Sequence, residues 1–250
     1  MKLLIANGCS HTAGSEIDID DPRKSCFDKA WPRWVADHYK LEYNNIAQPG
    51  SGNEQIARST ILHILKLLKT TPASDLVVVI CWSGFDRYEF WDSTDNRHKS
   101  FAFNTHSSPW TPPEPFASYI KYRSLVESQD YSNYKNLYYM LLLSEFLESH
   151  NIRYCFGNGL RSFDIQEGFK GHDNLKKEYF ELLELYGENR IKKHLGFYFS
   201  PHTFTGYLRN VPRSPAGLGN HWGEDGQQKY ADFLIQHIET HGGLAHLGEH

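Results

Sequence analysis

The run Leu76-Val77-Val78-Val79-Ile80-Cys81 is continuously apolar and largely β-branched, with no polar residue interrupting it. A strand with one wet face alternates apolar and polar side chains, so an unbroken run marks a strand covered on both sides. Such strands belong almost exclusively to parallel sheets whose crossover helices cover both faces. The rest of the chain supplies the matching alternation. Residues 2 to 6 read as a strand, Ala30 to Tyr39 as a helix and Glu42 to Ile46 as a short strand. Asn53 to Lys69 is an amphipathic helix with Ile56, Ile61, Ile64, Leu65 and Leu68 on one face. After the apolar strand come a helix over Tyr134 to Ser149, a strand over Ile152 to Phe156 stopped by Gly157-Asn158-Gly159, and a last helix from Glu224 to Ile238. This order predicts a three-layer α/β/α sandwich on a mostly parallel sheet of about five strands, of flavodoxin-like type.

Two stretches depart from the alternation. Residues 82 to 130 are rich in aromatics and carry the proline-rich run Ser108 to Pro115; residues 160 to 218 contain an extra helix over Asn174 to Leu195. Both begin where a strand ends, at the edge of the sheet where ligands of open α/β folds bind, so they are expected to build or cover a site. No low-complexity linker divides the 250 residues, and the chain is read as a single domain.

Composition removes several classes of function. With 40% hydrophobic residues the chain can bury a core, and a net charge of -4 without any long Lys/Arg block argues against a nucleic-acid partner. The apolar runs are far shorter than the roughly 20 residues of a membrane span, and the N-terminus does not read as a signal peptide. A cytoplasmic protein with no membrane association is expected. Cys9, Cys26, Cys81 and Cys155 are scattered and suggest neither a zinc ribbon nor a disulfide framework. Cys81 and Cys155 read as buried thiols, and no spacing of Cys, His, Asp or Glu predicts a metal or any other cofactor.

The first strand empties into Asn7-Gly8-Cys9-Ser10-His11-Thr12-Ala13-Gly14, placing a small hydroxyl on a glycine-flanked turn at the carboxyl edge of the sheet. Near the other end, Gly219-Asn220-His221-Trp222-Gly223 carries a histidine just ahead of the last helix. A serine hydroxyl is a weak nucleophile until a base takes its proton, and imidazole titrates near working pH. Ser10 and His221 are therefore the candidate nucleophile and base.

These segments, with Pro49-Gly50-Ser51-Gly52-Asn53-Glu54 and Trp82-Ser83-Gly84-Phe85-Asp86 between them, resemble the four ordered blocks of the SGNH/GDSL hydrolases. The nearest likeness is to the divergent branch, common in phage and bacterial proteins, whose first block reads Gly-Cys-Ser. The resemblance implies an esterase or O-deacylase acting on an ester of a carbohydrate or another small polar molecule. It assigns catalysis to Ser10 and His221, and the oxyanion hole to the N–H groups of Ser10 and Gly52. The family's third-block asparagine, a further oxyanion donor, is replaced by Phe85, leaving Ser83 as the nearest substitute. Asn53, Arg87 and Trp222 are expected at the substrate. The family's aspartate, three residues before the histidine, is replaced by Leu218. Asn220, Glu224, Asp225 or a backbone carbonyl remain to orient the ring, so a Ser-His dyad or a triad is implied.

Plainer readings compete with these. A glycine-serine turn after a strand and glycines ahead of a helix need no function, and His221 is one of 14 histidines. Trp82, Phe85, Tyr88, Phe90 and Trp91 are expected to pack beneath the insertion, and Asp86-Arg87-Tyr88-Glu89 reads as a surface ion-pair cluster. A non-catalytic ligand-binding module is the main alternative to an enzyme. A nucleotide-binding domain is weaker, because residues 8–14 match neither G-x-G-x-x-G nor a P-loop.

Overall fold

The unbroken apolar run forms β3, Leu76–Trp82, and every one of its residues is buried. The computed structural model describes residues 2–22, 24–93, 96–102, 117–118, 121–122, 128–163, 173–214, 221–241 and 243. On one side of β3 lies β1 (Leu3–Gly8), with β2 (Glu42–Asn45) beyond it; on the other lie β6 (Arg153–Asn158) and β7 (His194–Leu195). All four pairings are parallel, in the order β2-β1-β3-β6-β7. The sheet is the core layer of an α/β/α sandwich.

Strand periodicity divides the core between its two faces. Ile5, Val78, Ile80 and Trp82 point to one face, against α3 (Asn53–Leu67), α4 (Gln129–Ser149) and α5 (Asp173–Lys192). Leu4, Ala6, Val79 and Cys81 point to the other, against α2 (Trp31–His38) and the C-terminal helix over Glu224–Thr240. Cys81 and Cys155 are buried free thiols.

Strand order reverses between β1 and β3: the chain steps outward from β1 to β2, then returns to β3 on the opposite side. The crevice at that switch, beyond the carboxyl ends of the strands, is where open α/β sheets take ligands. It receives the segments after β1, β2 and β3.

Some elements differ from the sequence reading. Within residues 82 to 130 the chain forms an antiparallel hairpin, β4 (Arg87–Asp92) with β5 (Arg97–Ala102); the proline-rich run lies outside the described residues. The helix expected to reach Leu195 ends at Lys192 after a break at Gly187 (φ 77°), and His194-Leu195 becomes the fifth strand. Leu65 is 44% exposed, so the apolar face of α3 is narrower than its sequence suggests. Trp82, Phe85 and Tyr88 are buried as expected, whereas Trp91 is exposed.

Candidate active site

β1 must run close to β3 before the chain turns, and Gly8 permits it. A Cβ there would lie 2.2 Å from Thr12 Oγ1 and 2.8 Å from the Cys81 carbonyl. Ser10 then opens the short helix α1 (Ser10–Ala13), closed by Gly14 at φ 70°. Asn7 fixes the end of the strand: its side-chain amide donates to Ile56 O, Ser59 Oγ and Thr60 Oγ1, while its Oδ1 accepts the Gly8 N–H.

Ser10 and His221, 211 positions apart, meet there. Ser10 Oγ lies 2.7 Å from His221 Nε2, hydrogen-bond distance for a hydroxyl donating to a neutral imidazole. The other ring nitrogen, Nδ1, is 3.1 Å from Oε1 of Glu16, whose Oε2 accepts the His221 backbone N–H at 3.4 Å. The Nδ1 contact is oblique, and among the described residues no acceptor lies in line with an Nδ1–H. Its strength is therefore electrostatic more than directional.

Glu16 is only 4% exposed and sits at φ 63°, left-handed backbone that is uncommon for a residue with a Cβ. Several bonds hold it there. Its N–H donates to Pro22 O, its carbonyl accepts from Ser214 Oγ, and the Ser214 N–H donates to His221 O at 2.8 Å. Nothing in the sequence separated Glu16 from the acidic run with Asp18, Asp20 and Asp21 that follows it. Leu218 and Asn220 lie outside the described residues.

Burial pushes the His221 pKa below the ordinary imidazole value; Glu16 opposes the shift, and the Arg87 and Arg213 guanidiniums add to it. His11 is held well below that value by burial, then by His221 and the same two arginines. The two rings pack with centroids 4.7 Å apart. At neutral pH both imidazoles are neutral, and Nε2 of His221 is free to accept a proton.

Gly52 caps the N-terminus of α3, and its N–H donates to no described backbone group. The Ser10 N–H, at the start of α1, is likewise unclaimed. The Asn53 side chain, expected at the substrate, is committed to bonds within the protein. Its Oδ1 accepts the Ser83 N–H at 2.7 Å, while its amide donates to Ser83 O and to Asn136 Oδ1. Asn136 in turn donates to Phe85 O, so two asparagines clamp the third block.

Ser83, the expected substitute oxyanion donor, is 1% exposed, and its hydroxyl is enclosed without a partner among the described residues. Phe85 is buried against Phe163. Trp222, expected at the substrate, is fully buried: its indole N–H donates to Leu208 O and Val211 O, and Arg213 lies over its ring. Arg87 donates from Nη1 to Ser51 O, next to Gly52, at 3.3 Å. The expected surface ion-pair cluster is not formed, for Glu89 is buried and paired with Arg58. Among the described residues no group of three or more His, Cys, Asp or Glu side chains is arranged to hold a metal.

Residues 16–244 match the family of unknown function DUF6071. The chain belongs to that family. No curated protein matches it in sequence. The solved structures it is similar to include the acetyl xylan esterase Est2A of the rumen bacterium Butyrivibrio proteoclasticus, with a TM-score of 0.52 at 14% identity, covering 96% of this chain and 64% of the esterase. The YXIM protein of Bacillus subtilis gives a TM-score of 0.51 at 11% identity, covering 96% of this chain and 57% of that one. A carbohydrate esterase described as having divergent catalytic and non-catalytic binding functions in its active site gives 0.50 at 14% identity, covering 97% and 70%. At these identities the likeness gives the DUF6071 chain the fold of SGNH-type esterases.

Proposed function

We propose that the chain is a serine hydrolase of esters, with Ser10 as nucleophile, His221 as general base and acid, and Glu16 as the carboxylate beside the imidazolium. The observation that carries the reading is the 2.7 Å contact from Ser10 Oγ to His221 Nε2, with Glu16 against the far side of the ring. Ser10 Oγ bonds to the ester carbonyl carbon as its proton passes to Nε2. The charge developing on the carbonyl oxygen falls to the N–H groups of Ser10 and Gly52. His221 then gives the proton to the departing alcohol, leaving an acyl-serine. Water attacks that ester, His221 takes the water's proton and returns it to Ser10, and the acid departs.

A substrate among O-acylated carbohydrates or other small polar molecules fits the fold neighbours, one of which is an acetyl xylan esterase. Phe85 supplies no third oxyanion donor and the Ser83 hydroxyl is enclosed, so turnover is expected to be slow by about 10²- to 10³-fold relative to a three-donor site. That deficit also favours the second reading, a binding module, and one fold neighbour is described as combining catalytic and non-catalytic binding functions. A fluorophosphonate probe separates the two. It is expected to label Ser10 and to stop hydrolysis of activated esters, with Ser10→Ala losing both. Hydrolysis undiminished in Ser10→Ala would discard the mechanism, and an intact protein inert to the probe and to a broad set of esters would favour the binding module.

A further inference from the structure

Among the described residues the charges around Ser10 do not cancel. Glu16 is engaged by His221 through both carboxylate oxygens. Among the described residues no carboxylate engages the Arg87 guanidinium, whose one side-chain bond is from Nη1 to the Ser51 carbonyl. Arg58, Arg33 and Arg190 each grip one or two acids, whereas among the described residues Arg153, like Arg87, donates only to a backbone carbonyl; what sets Arg87 apart is its place beside Gly52. The adjacent Asp86 carboxylate instead folds back over Gly84, where a Cβ would lie 2.6 Å from its Oδ1.

Arg87 is also held against the second block. The Cβ that Gly52 lacks would stand 3.3 Å from Arg87 Cβ and 3.1 Å from its carbonyl, and the guanidinium curls back to the residue preceding Gly52. That puts a fork with Nε and Nη2 uncommitted one residue from the N–H expected to hold the oxyanion. Its charge is felt at both His221 and His11. His11, next to Ser10, contributes a second uncommitted group. Its Nδ1 is sealed without a partner, whereas Nε2 is not among the enclosed atoms and no described residue bonds it. The slight accessible surface of His11 therefore includes Nε2.

We propose that the ester carries a carboxylate close to its scissile bond, that Arg87 binds it through Nε and Nη2, and that His11 Nε2–H donates to an oxygen of the same group. A planar carboxylate matches a guanidinium fork, and charge-assisted pairs of this kind are among the stronger hydrogen bonds. A neutral ester would leave the cation beside Gly52 unanswered. The inference rests on Ser10 being the nucleophile, and its test is arranged to fail separately from that reading.

The test compares para-nitrophenyl hemisuccinate with its methyl ester, and meta-acetoxybenzoate with its methyl ester, placing the charge on the acyl or the alcohol side. In one pair kcat/KM for the carboxylate is expected to exceed that of the neutral ester by about 10-fold at low salt, shrinking as screening rises from about 20 to about 500 mM salt. Arg87→Gln should bring that ratio close to one, and Arg87→Lys should keep part of it. Circular dichroism and phosphonate labelling of Ser10 in each variant check that the fold and nucleophile persist. Equal rates within both pairs, or a preference surviving in Arg87→Gln, would overturn the proposal. Calorimetric binding of the same esters to Ser10→Ala tests the charge preference without turnover. Selective binding by a protein whose wild type hydrolyses nothing would sink the hydrolase reading and leave only the carboxylate selectivity of Arg87, while hydrolysis without charge preference would keep the hydrolase reading and overturn this one.

Discussion

Glu16 approaches His221 from the side of Nδ1 without lying on its N–H axis, so its main effect falls on the charged form of the ring. Burial and two guanidiniums disfavour the imidazolium, and Glu16 is the group that opposes them. Removing it as Glu16→Gln should lower kcat by about 10²- to 10⁴-fold, less than Ser10→Ala, because nucleophile and base remain in place. The sign of the pH dependence follows from the same balance. Because the resting pKa of His221 is depressed, kcat/KM should hold steady from pH 8 to 7 and fall only below the ordinary imidazole value of about 6.5. In Glu16→Gln the favourable partner is gone and this acid limb should move lower still. A limb centred above about 6.5, or one moving upward in the variant, would contradict the assignment. Ser10 and His221 were legible in the sequence because each occupies a recognisable position, after the first strand and before the last helix. Glu16 was not. The family likeness and the neighbouring sequence point to groups within a few residues of His221, whereas the carboxylate beside the ring comes from 205 positions away, on left-handed backbone that no local signal marks.

The hairpin that carries Arg87 is anchored by a buried ion pair. Glu89, on β4, has a side chain only 3% exposed and is gripped by Arg58 of α3 at 2.5 and 3.1 Å, with His98 of β5 nearby at 3.5 Å. A carboxylate buried this deeply is costly once its partner is removed, so Arg58→Ala should destabilise the protein by about 1–3 kcal/mol, at the low end for a buried pair because Arg58 is partly exposed. Urea denaturation measures that loss. The double variant Arg58→Ala with Glu89→Gln should recover part of it, because no unpaired charge is then buried; no recovery would mean that the pair is not what anchors the hairpin. The sequence shows why this element escaped notice. Asp86-Arg87-Tyr88-Glu89 looks like a solvated charge cluster until α3 is laid beside it, and only that contact reveals which charge is buried. β7 was hidden for a related reason: the helical pattern of α5 runs on into Lys193-His194-Leu195, and only pairing with Phe156 and Gly157 makes a strand of the last two. The central strands needed no such context, since their continuous apolar character states that both faces are covered.

Across the molecule, several buried or half-buried histidines are held in the neutral form, and together they set how the fold responds to acid. His194 is the clearest case, wedged between Tyr186 OH and Asn158 Oδ1 at 3.0 Å each and lowered by burial to about 3. His237 is lowered to about 4, and His11 and His221 are lowered as well. In the unfolded chain these rings titrate near about 6.5, so below that pH the unfolded state binds protons that the folded state refuses. Stability is then lost as pH falls, and for His194 the loss continues until its folded pKa is reached. A buried histidine of this kind contributes a slope of up to about 1.4 kcal/mol per pH unit over that interval. The melting temperature should accordingly be level between pH 8 and 7 and decline progressively below about 6.5, well before carboxylates begin to titrate. His194→Gln keeps a neutral side chain able to bond both neighbours while removing the titration, so it should flatten the decline between about pH 6 and 4.5 even if it lowers stability at neutral pH. A wild-type profile level down to about pH 4.5, or an unaltered slope in His194→Gln, would mean that these rings accept protons without unfolding the chain.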